Sequence, residues 1–399
     1  MPPRLIAGVM SGTSADGVDV ALVEFAWGRS LTGAPASGPR PAGQRPAGGS
    51  EFRPTSWRLR GFAHRAFRRA EREVILAAAT GAANAEALAQ LHVALGRRYG
   101  QAVLAACRAS GIPPRRLALI ASHGQTVFHR GRHATLQLGD AATIAAITGV
   151  DVVHNFRAAD IAAGGEGAPL VPWTDWRLFT HPTRYRATLN LGGIANLTLL
   201  PPGARRDDVL GFDTGPANIL LDACMRHLSR GRQSFDRNGR LARAGNPHPK
   251  LLAALLQHSY FRRRPPKSCG REEFGQPFLD RALRLGRTLP PADLMATLVA
   301  LTASTVAQGL RCGGPDARSA EVIVSGGGAG NRALMAALRQ AAPACTFSPS
   351  DDFGLPARAR EAVAFAFLGE AFLRREPANL PRVTGARYPA LLGSFTPRP

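Results

Sequence analysis

The chain has 399 residues, 45% hydrophobic and 20% charged, the make-up of a globular protein long enough for two domains with their own cores. Its net charge of +22 comes almost wholly from arginine, with lysine only at 250 and 267, beside abundant alanine, which reads as GC-rich codon usage. The arginines are scattered and no zinc-finger, RRM or KH pattern accompanies them, so a dedicated nucleic-acid function is disfavoured and only a weak, salt-sensitive attraction to polyanions is expected.

Five cysteines (107, 224, 269, 312 and 345) form no C-x-x-C pair and no even-numbered framework, as expected of reduced thiols in a cytoplasmic protein. Met1-Pro2-Pro3-Arg4 has too little apolar length for a signal peptide. The apolar stretch Leu294 to Leu310 is broken by Thr297, Thr302, Ser304, Thr305 and Gln308, which predicts a core helix and no membrane association.

In chain order, Leu5-Ile6-Ala7 and Val20-Ala21-Leu22-Val23 predict two strands flanking the turn Gly8 to Asp19. Gly12 and Gly17 allow a tight turn, and its N–H groups with the Ser11, Thr13 and Ser14 hydroxyls form a concavity suited to phosphate oxygens. Asp16 and Asp19 are hard oxygen groups suited to magnesium or its waters. Arg29–Ser56, rich in Pro, Gly, Ala and Arg, reads as a flexible surface insertion. A strand over Trp57–Phe67, helix over roughly 70–110, and a buried strand Leu117–Ile120 running into Ser122–Thr126 follow. A short helix near 140–148 and a strand at Val150–Val153 complete a first α/β domain, 1–170.

Ala162–Pro169 reads as a mobile crossing point and Val171–Phe179 as a helix leading into a second domain, 171–399. That domain opens on Ala187–Thr198, again strand, glycine turn, strand, with Asn190, Gly192 and Gly193 at the tip. Val322-Ile323-Val324 then runs into Ser325–Asn331, a glycine turn (Gly326, Gly327, Gly328) that lets a flat adenine ring lie against backbone. An amphipathic helix near 360–375, with Glu361 at its start, is expected to cross back towards the first domain. No Walker A or G-x-G-x-x-G string fits, and two hairpin clamps, one per half, point to the duplicated actin, Hsp70 and sugar-kinase architecture with an interdomain cleft.

Three glycine turns around one cleft imply an ATP-using enzyme that closes on its substrate. Such a kinase needs a carboxylate at the acceptor, and Asp213 in Gly211–Asn218 is the candidate; it also stands where an Asp caps a helix, and both roles are compatible. His123 beside Gly124 is expected to face substrate, and Glu361 to do so from a helix start. Lys267 and Arg271 either attract acidic groups or form a solvated basic loop.

These residues resemble the anhydro-N-acetylmuramic acid kinases of bacterial cell-wall recycling, almost end to end: Gly8–Asp19, Ser122–Thr126, Ala162–Pro172, Asn190–Thr198, Phe212–Asn218, Pro265–Glu272, Ser325–Asn331 and Gly354–Ala366. The resemblance implies ATP and magnesium, with 1,6-anhydro-N-acetylmuramic acid as substrate. Water attacks C1 while the freed O6 takes the γ-phosphoryl group. It implies Asp213 as general base with an ordinary carboxyl pKa, and His123, Asp213 and Glu361 at the sugar. It further implies Gly12, Thr13, Ser14, Ala15, Asp16, Gly17, Val18 and Asp19 at ATP, with Asn190, Gly192, Gly193, Gly326, Gly327, Gly328 and Asn331 completing the nucleotide side. Asn155, Glu166, Cys269 and Arg358 depart from the family pattern. The rival readings are a kinase for an ordinary open sugar and a non-enzymatic polyanion binder. Oligomeric state, a homodimer included, is left open.

Overall fold

Alternating apolar runs separated by glycine turns build two mixed sheets in a computed structural model that describes residues 3–26 and 56–399. The expected insertion Arg29–Ser56 lies outside the described residues, except Ser56, which opens a strand. The first sheet contains β1 (Arg4–Ser11), β2 (Gly17–Ala26), β3 (Ser56–Ala66), β4 (Leu117–Arg130), β5 (Ala134–Leu138) and β6 (Val152–His154). The second contains β7 (Arg186–Leu191), β8 (Ile194–Leu200), β9 (Leu210–Pro216), β10 (Glu321–Ser325) and β11 (Thr346–Pro349). A last strand, β12 (Ser394–Thr396), returns to pair with β6 of the first sheet.

The strand orders are β3-β2-β1-β4-β6 and β9-β8-β7-β10-β11. In each, the first three strands form an antiparallel meander and the last two add in parallel beside the first. One topology thus occurs twice, the duplication expected of the actin-like fold. Two details differ from expectation. The strand after Leu117 does not stop near Thr126 but runs to Arg130 and folds back on β5. The helical stretch near 70–110 is two helices, α1 (Arg69–Ala79) and α2 (Ala85–Ala109), the second capped by the Asn84 side chain.

The remaining helices are α3 (Ala141–Thr148), α4 (Phe156–Ala162), α5 (Val171–Phe179), α6 (Asn218–Leu228), α7 (Arg240–Arg243), α8 (Pro249–Leu256), α9 (Ser259–Arg262), α10 (Arg271–Phe274), α11 (Gln276–Leu285), α12 (Pro291–Arg311), α13 (Arg332–Ala341), α14 (Arg360–Leu373) and α15 (Pro381–Thr384). α12 is long and apolar enough to cross a membrane, but its side chains fill the core behind the second sheet.

Three apolar layers result. One lies between α1–α3 and the outer face of the first sheet, and one between the second sheet and α6, α11, α12 and α13. Between the sheets lies a third, built from α5 and α14. These two helices cross over. α5 follows the first half yet packs on β7 and β8, whereas α14 follows the second half yet packs on β1, β2 and β4. The approach of α14 is close: a Cβ added at Gly8 on β1 would lie 1.9 Å from the Ala362 carbonyl oxygen. Gly8→Ala is therefore expected to cost about 3 kcal/mol by forcing helix and sheet apart; chemical denaturation measures it, and an unchanged midpoint would contradict the close packing.

Candidate active site

In open α/β sheets, ligands gather at the carboxyl ends of parallel strands. Here those ends are Ser11 of β1, Leu191 of β7 and Ser325 of β10, with the first turn of α14 beside them.

The first hairpin tip, residues 12–16, joins β1 to β2. Its left-handed residue is Ala15 (φ 52), not a glycine, and its turn closes through Ala15 N–H donating to the Gly12 carbonyl at 3.1 Å. Gly17 serves close approach instead, since a Cβ there would meet the Arg65 carbonyl at 2.5 Å. Ser11 is buried, and its hydroxyl is engaged with Gln125 Oε1 (2.6 Å) and the Gly17 carbonyl (3.1 Å). Gln125 Nε2 donates to the Gly12 carbonyl at 3.1 Å, bracing the tip. Thr13, Ser14 and Asp16 are exposed and Gly12 is half-buried. Ala15, Gly17 and Val18 are buried, and Val18 lies in the ladder with Arg65, so its expected contact with ATP is not supported. Asp19 is half-buried on β2 and bonds His64 Nδ1 at 2.7 Å. Among the described residues no three His, Cys, Asp or Glu groups converge as a metal cluster.

The second tip, Gly192-Gly193, is braced by the start of α6. Ala217 and Ile219 N–H donate to the Gly193 carbonyl (2.9 and 3.0 Å), and Asn218 Nδ2 to the Leu191 carbonyl (3.0 Å). The Gly326–Gly330 turn packs against Leu191. Asn190, Gly192, Gly193, Gly326, Gly327 and Gly328 therefore cluster at the ends of β7 and β10. Asn331 has another use: its side-chain oxygen caps α13, accepting from Ala333 and Leu334 N–H at 3.1 Å each.

Asp213 lies within β9 and does not cap α6, whose N-cap is Ala217 without a side-chain bond. Its Oδ2 accepts the Cys269 N–H at 2.9 Å, and its Oδ1 accepts from Asn196 Nδ2. Burial pushes its carboxyl up from 3.8 to about 6; the Cys269 N–H, Asn196 and the more distant Lys267 oppose the rise, and Glu272 adds to it. The expected ordinary pKa is thus corrected, because the 265–272 segment and β8 shut water away from the carboxylate. Cys269 makes this contact through its backbone, so the contact does not depend on its side chain, and burial pushes its thiol up. Lys267 folds back with its ammonium 4.7 Å above the Tyr260 ring, rather than reaching out for an acidic group.

On the first-sheet side, His123 is buried, with Nδ1 bonded to the Gly124 carbonyl (2.8 Å) and Nε2 accepting from Arg157 Nε (3.0 Å). Burial, then the Arg157 charge, keep it neutral, its pKa well below the usual histidine value. With both nitrogens engaged it supports Arg157 rather than facing substrate. Arg157, missing from the sequence expectations although Asn155-Phe156-Arg157 carries the signal, also donates to the Gly167 carbonyl at 2.8 Å. Desolvation lowers it to about 10, and Glu361 holds it charged. Glu361 keeps an exposed face; desolvation raises its carboxyl, Arg360 and Arg157 pull it down, and Asp19 pushes it up. Asp19, Glu361, Arg157 and His123 thus form one electrostatic group. Asn155 takes the left-handed conformation (φ 58) that asparagine tolerates, Glu166 pairs with Arg132 at 2.7 Å, and Arg358 is exposed.

A buried carboxylate among paired glycine hairpins in a duplicated α/β fold is the arrangement of an actin-like kinase. The family model described as anhydro-N-acetylmuramic acid kinase matches residues 58–398. Proteins of that name from Ralstonia nicotianae and Salinibacter ruber are 42% and 41% identical over 400 and 410 residues, each alignment covering 98% of this chain and 96% of the relative. The chain belongs to the anhydro-N-acetylmuramic acid kinase family and is a kinase. Among solved structures, a ROK family glucokinase from Streptomyces griseus aligns with 91% of this chain and 98% of its own at 14% identity, with a TM-score of 0.37.

The raised Asp213 pKa has a stability consequence. Between 3.8 and about 6 the folded state holds the proton that the unfolded state has released. Stability therefore falls as pH rises through that window, by on the order of 3 kcal/mol in total. The unfolding free energy of the wild type minus that of Asp213→Asn should drop by this amount between about pH 4 and pH 7; a flat difference would show the carboxyl is not lifted.

Proposed function

We propose that the chain opens 1,6-anhydro-N-acetylmuramic acid by hydrolysis and phosphorylates O6 with ATP, giving N-acetylmuramic acid 6-phosphate and ADP. Asp213 takes a proton from water as the water oxygen bonds to C1. The C1–O6 bond breaks with its electron pair left on O6, which attacks the γ-phosphorus and expels ADP. What carries this reading is the Asp213 carboxylate itself, buried and held by two donors, with a pKa of about 6. A base of that pKa is ionised at neutral pH yet stronger than an ordinary carboxylate, which suits proton abstraction. Strain in the bicyclic sugar lowers the demand on a second carboxylate at the leaving oxygen, where ordinary glycoside hydrolysis uses a pair.

The exposed tip Thr13–Ser14, with Gly12, and the Gly192-Gly193 and Gly326–Gly328 turns are assigned to ATP through their backbone N–H groups, Ala15, Gly17 and Val18 serving as their buried support. Asp19, which acts electrostatically on Glu361, and Asp16 are the carboxylates that would hold the waters of a nucleotide-bound magnesium ion. Bound magnesium neutralises charge that builds on the phosphates. Arg157, fixed by His123 and Gly167, offers a desolvated cation for the acid group of the substrate, with Glu361 beside it at the sugar. We take 1–170 and 171–399 as the two domains that close over the cleft, and the five free thiols fit a reducing, cytoplasmic setting.

Turnover with ATP, magnesium and the anhydro sugar in isotopically heavy water should give a sugar phosphate carrying one heavy oxygen at C1. Asp213→Asn should slow it at least about 100-fold. Phosphorylation of an open hexose alone, or full activity of the variant, would overturn the substrate or the base respectively.

A further inference from the structure

The register of the second sheet sets four polar side chains in one row. Ser325 of β10 stands opposite Asn190 of β7, Asn190 opposite Asn196 of β8, and Asn196 opposite Asp213 of β9. The side chains bond along that row: Ser325 Oγ to Asn190 Oδ1 (3.5 Å), Asn190 Nδ2 to Asn196 Oδ1 (3.4 Å), and Asn196 Nδ2 to Asp213 Oδ1. At its far end Arg360, buried on α14, donates to Ser325 Oγ at 3.1 Å. Every donor points the same way, from the guanidinium to the carboxylate.

The direction follows from chemistry at either end. Arginine only donates, so Ser325 accepts and turns its own proton to Asn190; a carboxylate only accepts, so Asn196 presents its amide nitrogen and turns its oxygen to Asn190. Both ends require the same orientation of Asn190, oxygen towards Ser325 and nitrogen towards Asn196. A chain of like-directed hydrogen bonds polarises each member, more so away from water. We propose that Arg360 is a positioning residue that acts on Asp213 through the Ser325–Asn190–Asn196 row, fixing the carboxylate's orientation and stabilising its charge. This rests on Asp213 as the base. It also gives Asn190 a role different from a direct contact with nucleotide, since both ends of its amide are engaged.

Arg360→Met is a poor probe, because it strands Asp175, bonded to Arg360 at 2.6 Å, in the interior. Ser325→Ala cuts the row and keeps that ion pair. Thr188→Val is its control: the Thr188 hydroxyl bonds Asp175 (2.7 Å) and Arg360 (3.2 Å) but lies outside the row. The other groups facing Asp213, namely Lys267, Cys269 and Glu272 from the 265–272 segment and Tyr260 from α9, are the same in both variants, as is Glu361 beside Arg360. ADP release with the anhydro sugar would be followed against pH, with thermal midpoints recorded alongside.

For Ser325→Ala, kcat should fall about tenfold while KM for ATP and sugar changes less than about twofold. The acid limb of kcat should move up by about half a pH unit, since a carboxylate with weaker support holds its proton to higher pH. Thr188→Val should lose comparable thermal stability with kcat and acid limb unchanged. If Ser325→Ala matches the control or the wild type in kcat and acid limb, the proposal fails. An active Asp213→Asn would instead defeat the base assignment itself; an inactive Asp213→Asn with an unaffected Ser325→Ala defeats the row alone.

Discussion

The molecule depends on one buried ion pair, Arg360 with Asp175, set where the two crossed helices meet. Their side chains are 7% and 2% exposed. Asp175 on α5 also accepts the Thr188 and Thr198 hydroxyls from β7 and β8, so one carboxylate holds α5 to the second sheet and to α14 at once. Such a pair adds little net stability over an apolar contact, because both charges lose their water. In the observed register of α14 on α5 the Arg360 guanidinium meets Asp175, Thr188 and Ser325 together. That register places Glu361, the next residue, at the cleft and brings Arg360 to Ser325. Packing at Gly8 and Gly369 holds the other face of the same helix against the first sheet.

The duplicated topology does not carry duplicated chemistry. Each half presents an antiparallel hairpin beside a parallel strand, but the polar groups at the strand ends differ. In the first half Ser11 and Gln125 turn on each other and on the tip's own carbonyls, a brace for the loop. In the second half the corresponding level carries Ser325, Asn190, Asn196 and Asp213, a line that ends on an acid. One hairpin is stiffened from within and the other serves a titrating group. Arg157 sits with the first half and Asp213 with the second, so the buried cation and the buried acid come from different sheets.

Much of this frame was legible in the sequence. Strand, glycine turn, strand at Gly8–Asp19 and at Asn190–Thr198 reveals the repeat, because small residues between apolar runs are read locally. So is the helix Val171–Phe179, whose limits agree with expectation. What escaped is whatever depends on partners distant in sequence. Ser11 reads as a phosphate ligand until Gln125, 114 positions away, claims its hydroxyl. His123 reads as substrate-facing until Arg157 and Gly124 occupy both nitrogens. The left-handed residue of the first tip is Ala15, which no turn rule favours between two glycines. The return of β12 to β6 rests on three residues with no distinctive pattern.

The Asp213 pKa shows the same limit in its sharpest form. Local sequence places an acid between Phe212 and Thr214 at the end of an apolar run and gives no reason for an abnormal carboxyl. The shift arises because residues 265–272, over 50 positions later, cover the strand and supply one donor, while Asn196 from the neighbouring strand supplies the other. Two opposing demands meet at that atom. Exclusion of water raises the pKa; the donors lower it and favour the charged form. Burial without the donors would lift the carboxyl further, and the donors without burial would hold it lower. The balance between cover and donors, and not the identity of the acid, is therefore what the surrounding fold is built to supply.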